Sequence, residues 1–185
     1  MSNNLKKRIY TSLGLFLLLI LMFKNIFILS YSLLIVGLLS IIEFHQLNLN
    51  IFKKNKIKAF AIDLIFIFYI FLICSVVLVF STYSHIKIII FIILIICIFS
   101  DIGGYIFGKI FKGPKLTKVS PNKTISGAIG SLFFSSLIGL MIIFYITKNF
   151  EPSMFVVSCI TSVACQCGDL FFSFLKRKSN LKDTG

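Results

Sequence analysis

The chain has 185 residues, of which 58% are hydrophobic and only 14% charged, with a mean hydropathy of +1.01. Soluble domains carry roughly 25% charged residues, so water is excluded as the solvent for most of this chain. Its net charge of +13 comes from 19 Lys plus Arg against six Asp plus Glu. The cations lie in short clusters between apolar blocks and form no single soluble patch. That excludes nucleic acid and points to membrane lipid headgroups or a phosphorylated small substrate as the anionic partners.

In chain order, Lys6, Lys7 and Arg8 precede an apolar run with no small-x-small cleavage site after it, so a retained first helix is expected rather than a signal peptide. A helix needs about 20 apolar residues to cross a bilayer, and six blocks are candidates. They cover 9–23, 26–42, 59–80, 86–107, 126–147 and 153–175. Only Lys24 and Asn25 separate the first two, which together are too long for one span and predict a tight helical hairpin. The fold class expected is all-α, a polytopic transmembrane bundle forming one membrane-embedded domain over 1–185.

If all six blocks cross, the links alternate sides. One side then holds Lys6, Lys7, Arg8, Lys53, Lys54, Lys56, Lys58, Lys109, Lys112, Lys115, Lys118, Lys123, Lys176, Arg177, Lys178 and Lys182. The other holds only Lys24, Lys87 and Lys148. Sixteen against three places the N-terminus and the basic loops in the cytoplasm by the positive-inside bias. The short external links at 81–85 and 148–152 leave no room for an outside domain, so function is expected at the cytoplasmic face or within the membrane.

The five cysteines, Cys74, Cys97, Cys159, Cys165 and Cys167, are odd in number and lie in or beside apolar stretches, so no disulfide framework is expected. Cys165 and Cys167 form a lone Cys-x-Cys with no second ligand pair nearby in sequence, which favours small-residue helix packing over metal binding.

The stretch 100–131 breaks the apolar pattern. Asp101 lies at the end of a strongly apolar run, where an acid is costly enough to suggest function, although a carboxylate snorkelling to an interface would look the same. Gly103, Gly104 and Gly108 follow and allow close approach of a helix or a ligand. Gly113-Pro114 and Ser120-Pro121 then punctuate a lysine-rich segment, predicting an ordered loop. Lys115 and Lys123, the hydroxyls of Ser120, Thr124 and Ser126, and the N–H groups opening the next helix suit phosphate. An ordinary positive-inside loop touching anionic lipid fits the charge equally well.

A second constellation ends the last span: Gly168, Asp169, Leu170, Ser173, Lys176, Arg177, Lys182 and Asp183. Mg2+ prefers oxygen ligands and is commonly held by one or two carboxylates together with substrate phosphates. Asp169 and Asp183 fit that use, with Lys176 and Arg177 left to neutralise phosphate. A stop-transfer cluster in which one cation pairs with Asp169 is the alternative.

At these spacings the two stretches resemble the CDP-diacylglycerol synthase (phosphatidate cytidylyltransferase) family. Members resemble Asp-x-Gly-Ala-Tyr-x-x-Gly-Lys/Arg-x-Phe-Gly, then Lys-Leu, then Ser-Pro-x-Lys-Thr-x-x-Gly. Here those positions hold Asp101, Gly103, Tyr105, Gly108, Lys109, Phe111, Lys115, Leu116, Ser120, Pro121, Lys123, Thr124 and Gly127. The second signature is matched by Gly168, Asp169, Leu170, Ser173, Lys176, Arg177, Lys182, Asp183 and Gly185. Gly104 replaces the usual Ala, Lys112 a common Gly, and Phe172 a frequent Glu. The family signature continues into a His-Gly-Gly and Asp-Arg-x-Asp run, whereas this sequence stops at Gly185, so a C-terminally truncated gene or fragment lacking part of its metal site is expected.

The resemblance implies a multi-pass protein of the cell's inner (plasma) membrane, with its active site facing the cytoplasm, that joins CTP to phosphatidate and releases pyrophosphate. It implies Mg2+ held by Asp183, Asp169 and Asp101, with Lys176, Arg177, Lys182 and Asp183 catalytic and Lys115, Ser120, Lys123, Thr124 and Ser173 binding substrate. Two other classes stay open: a CTP-dependent lipid kinase, and a transporter or channel subunit with Asp63 and Asp101 on an ion path. The sequence also leaves a homodimer open.

Overall fold

The computed structural model describes residues 3–117, 120 and 123–179. Its regular elements are six helices: α1 (Asn3–Lys24), α2 (Ile26–Ile51), α3 (Lys56–Ser81), α4 (Ser84–Phe111), α5 (Ile125–Thr147) and α6 (Pro152–Lys178). A chain in hydrocarbon must satisfy its backbone N–H and C=O groups internally, and a helix does so within one segment. Each expected span lies wholly within one of these helices, and α1, α2 and α4 extend past it by a turn or more, because the residues beyond the span continue the backbone bonding. α2 through α6 are long and apolar enough to cross a membrane, whereas the apolar part of α1 runs only over Tyr10–Lys24. The protein is therefore a multi-pass, all-α membrane protein, and its large exposed apolar residues, such as Phe71 and Ile65, face lipid.

The chain divides into two compact units, 1–88 and 89–185. In the first, a single extended residue, Asn25, breaks α1 from α2, and its side chain caps α2 by accepting from Phe27 N at 2.9 Å. That cap supplies one of the partners a helix N-terminus lacks. α2 and α3 form the main pair of this unit. Phe44 stacks on Phe66 with ring centroids 3.8 Å apart, and Gly37 lies opposite Ile70 and Cys74.

In the second unit, Ile92, Ile96 and Ile143 form a buried apolar cluster with Ile142 and Met154 against it. Closer packing comes from small residues. A Cβ on Gly103 would lie 2.7 Å from the Gly130 carbonyl oxygen, so the backbones of α4 and α5 meet at van der Waals range. α4 and α6 are joined by a buried hydrogen bond between the Ser100 and Ser162 hydroxyls at 2.7 Å, and α5 and α6 by Ser136 and Cys159 at 3.3 Å. Small and hydroxyl side chains are the usual means of helix association where lipid competes for apolar surface.

Candidate functional site

All of the described candidate site residues lie in the second unit. α4 stops at Phe111 because Lys112 takes a left-handed backbone, with φ of 42°. The Gly113 N–H then donates to Ser126 Oγ at 3.2 Å, which ties the exit of α4 to the start of α5. Between them the chain folds back on itself. Lys115 and Thr124 form an antiparallel bridge, Leu116 N donates to Lys123 O at 2.8 Å, and Ile125 N donates to Pro114 O at 2.9 Å. Near the tip, Lys123 N donates to Ser120 O at 3.1 Å, and Ser120 N to Thr117 Oγ1 at 3.3 Å. The described residues of the lysine-rich segment thus form an ordered loop. Thr124 then caps α5, its hydroxyl accepting from Gly127 N at 3.1 Å.

This bonding fixes the backbone of Lys123, and its ammonium reaches Asp169 Oδ2 of α6 at 2.8 Å. The contact joins the two motif stretches, 46 residues apart in sequence. Asp169 thus pairs with a lysine of the loop between α4 and α5.

The pair lies on a cavity of about 350 Å³. Asp101 of α4 and Thr124 line it too, so four candidate residues from three elements share one space: Asp101, Lys123, Thr124 and Asp169. Gly104, Gly108 and Gly127 form much of the wall, where a side chain would close the space between α4 and α5. Lys109 also lines it, with its ammonium over the Tyr105 ring at 5.7 Å.

Other candidates are placed differently. Lys115 is exposed and is held in the loop by its bridge to Thr124, while Ser120 is half-buried at the loop turn. Ser173 and Lys176 lie one and two turns beyond Asp169 on the same face of α6, both half-buried, and Arg177 is exposed. None of these five lines the cavity. Lys182 and Asp183 fall outside the described residues.

Gln166 is a cavity residue that sequence reasoning missed. Its amide donates to Ala128 O at 3.3 Å and to Ser162 Oγ at 3.4 Å. The signal was available: it is the one amide side chain in α6 and stands one turn before Asp169 on the same face. Ser131, buried on α5, was likewise missed as a cavity residue. Chemically the cavity combines two carboxylates, two ammonium groups, the hydroxyls of Tyr105, Thr124 and Ser131, and an amide beside apolar walls. That set suits a ligand with a polyanionic part and a less polar part.

Comparison with known proteins gives the same direction. The model of the cytidylyltransferase family matches residues 2–185. A phosphatidate cytidylyltransferase of Rickettsia felis is 38% identical over 102 residues, covering 50% of this chain and 45% of the relative. One from Rickettsia typhi is 35% identical over 119 residues, covering 60% and 52%. One from Staphylococcus aureus (strain COL) is 41% identical over 88 residues, covering 46% and 34%. The chain thus spans about half the length of the two rickettsial relatives and about a third of the staphylococcal one. No solved structure matches the chain.

Proposed function

The chain belongs to the cytidylyltransferase family, and from that premise we propose that it acts as a phosphatidate cytidylyltransferase, making CDP-diacylglycerol from CTP and phosphatidate. A phosphate oxygen of the lipid attacks the α-phosphorus of CTP. The bond from that phosphorus to the oxygen bridging to the β-phosphate breaks, and pyrophosphate leaves. A phosphomonoester has its second pKa near 6, so the nucleophile is already largely dianionic at neutral pH and no strong general base is needed. The reaction's main demands are alignment and charge neutralisation.

The observation that carries this reading is the 2.8 Å contact of Lys123 with Asp169 on a cavity that Asp101 also lines. Lys123 and Lys109 bear on phosphate oxygens, and the N-terminus of α5, with Thr124 at its cap, favours negative charge. Lys115, Ser120, Ser173, Lys176 and Arg177 flank the site, where they meet the outer phosphates and the lipid headgroup. Lys182 and Asp183 complete the reading from sequence alone.

The donor set also fits Mg2+. Among the described residues no three His, Cys, Asp or Glu side chains gather, but two aspartates on one cavity match an ion that takes one or two protein carboxylates and fills its remaining positions with phosphates and water. Asp101 and Asp169 would hold it, with Asp183 as a third candidate. Bound there, Mg2+ would neutralise charge on the triphosphate and help orient it.

The sixteen-to-three distribution of cations supports a cytoplasmic N-terminus and a site open to cytoplasmic CTP, in the plasma (inner) membrane. The test uses CTP labelled in turn at the α- and γ-phosphate, presented with phosphatidate to membranes containing the chain. Transfer of the α-label to lipid with release of pyrophosphate is expected, falling at least about 100-fold in Asp169→Asn and Lys123→Met, the scale of losing an oriented electrostatic group. Transfer of the γ-label would make the protein a lipid kinase. Transfer of neither label, with no binding of CTP, would remove the enzymatic reading.

A further inference from the structure

The first unit contains a polar network unrelated to the cavity above. On α2 and α3, Asp63 has both carboxylate oxygens engaged. Asn48 Nδ2 donates to Oδ1 at 2.7 Å, and His45 Nδ1 lies 2.7 Å from Oδ2. Asn48 is 2% exposed and donates also to the Ala59 carbonyl at 2.7 Å. Asn48 and Asp63 therefore form a closed tie between the two helices.

His45 does not close in the same way. Its side chain is 53% exposed, against 13% for Asp63, and among the described residues its Nε2 has no hydrogen bond. Together with Asp63 it lines a second cavity of about 180 Å³, whose other walls are Ile41, Phe44, Phe66 and Ile67. A carboxylate on Nδ1 fixes the ring's orientation and directs Nε2 outward. The arrangement is an oriented imidazole over an apolar pocket.

We propose that this pocket is a binding site for an anionic glycerophospholipid, with the phosphate on His45 Nε2 and the top of an acyl chain against Ile41 and Ile67. Three observations select that occupant. The dyad lies within two turns of the end of α2, where the connecting turn and the start of α3 carry Lys53, Lys54, Lys56 and Lys58, all exposed, and such clusters attract anionic headgroups. The neighbouring surface of α2 is apolar and exposed at Leu38, Ile42 and Leu49, so the mouth opens where lipid packs. Four of the pocket's walls are apolar and both Asp63 oxygens are already engaged, which leaves His45 Nε2 as the polar atom open to a headgroup. When both ring nitrogens carry hydrogen, one donates to Asp63 and the other to the lipid phosphate.

The histidine's two nitrogens can be separated by substitution. Asn places an amide near Nδ1 and keeps the tie to Asp63, but it has nothing at Nε2. Gln reaches the Nε2 position. The probe is phosphatidylglycerol, chosen because it is not a substrate of the proposed reaction, and its binding to the intact chain is measured against phosphatidylcholine by native mass spectrometry. Wild type is expected to prefer phosphatidylglycerol. His45→Asn should lose about tenfold of that preference, the scale of one hydrogen bond to a charged group, with an unchanged melting temperature, and His45→Gln should recover part of it. An unchanged preference in His45→Asn, or none in wild type, overturns the proposal. So does competition by glycerol 1-phosphate as strong as by the lipid, since the site would then take a soluble phosphate.

Discussion

Lys112 shows how one residue shapes the candidate site. Its φ of 42° is the left-handed conformation that ends α4 and turns the chain toward Lys115 and Lys123. For a residue with a Cβ that conformation costs roughly 1–2 kcal/mol, whereas glycine adopts it freely. The family pattern carries a common Gly at this position, and the turn explains why. Lys112→Gly is therefore expected to raise stability by about 0.5–1 kcal/mol, the relief of the left-handed lysine less the added freedom of glycine in the unfolded chain. Thermal unfolding in detergent measures it, and a lower melting temperature would mean that the lysine side chain has a stabilising partner outweighing the strain. Residue type and motif spacing together made Asp101, Lys123, Thr124 and Asp169 candidates, since an acid at an apolar border is costly and ammonium and hydroxyl groups suit phosphate. Their convergence could not be read in the same way, because it depends on a loop closing through backbone bonds such as Leu116 N to Lys123 O.

Between elements, the glycines of the two motifs do different work. Gly127 sits where α5 crosses α4, and a Cβ there would lie 2.8 Å from the Gly104 carbonyl oxygen and 3.4 Å from Gly108 Cα, both backbone atoms that cannot swing aside. Gly168, beside Asp169 on α6, has nothing within 4 Å of the same position. Gly127→Ala should force the helices apart and cost about 1–3 kcal/mol. Gly168→Ala should be neutral or gain up to about 1 kcal/mol from the better helix former. Parallel melting curves of the two variants check this, and equal losses would show that packing around Gly127 is softer than its backbone neighbours suggest. Sequence reasoning singled out Gly103, Gly104 and Gly108 as sites of close approach, but it could not say whether a ligand or another helix would do the approaching. In the structure the approaching element is a helix: Gly103 meets α5, while Gly104 and Gly108 face α5 and also line the cavity. Gln166 went unnoticed because a lone amide on a helix has no chemistry of its own until a neighbouring element gives it one.

At the scale of the whole molecule, the six-helix pattern was legible because hydropathy along a membrane chain is a direct record of where lipid must be faced, and expected and observed helices coincide within their apolar portions. Helix ends were less legible, since a mixed stretch holding Glu43, His45, Gln46, Asn48 and Asn50 continues α2 well past the apolar block. The first helix is the marginal one. Its apolar stretch over Tyr10–Lys24 rises about 22 Å, short of a hydrocarbon core of about 30 Å, so spanning requires flanking lysines to reach the interfaces or the bilayer to thin. Charge predicts an orientation, and the prediction has a direct test because the native cysteines all lie within helices. Single cysteines placed at Asn55, in the lysine-rich turn between α2 and α3, and at Asn149, between α5 and α6, are probed in intact cells with a membrane-impermeant maleimide, against a wild-type background measurement. Asn149→Cys is expected to label from outside, and Asn55→Cys only after permeabilisation, as the bias of sixteen cations against three predicts. The reverse pattern would turn the Lys123–Asp169 cavity, which opens beside the lysine-rich loop, away from cytoplasmic CTP, and the proposed reaction would lose its nucleotide.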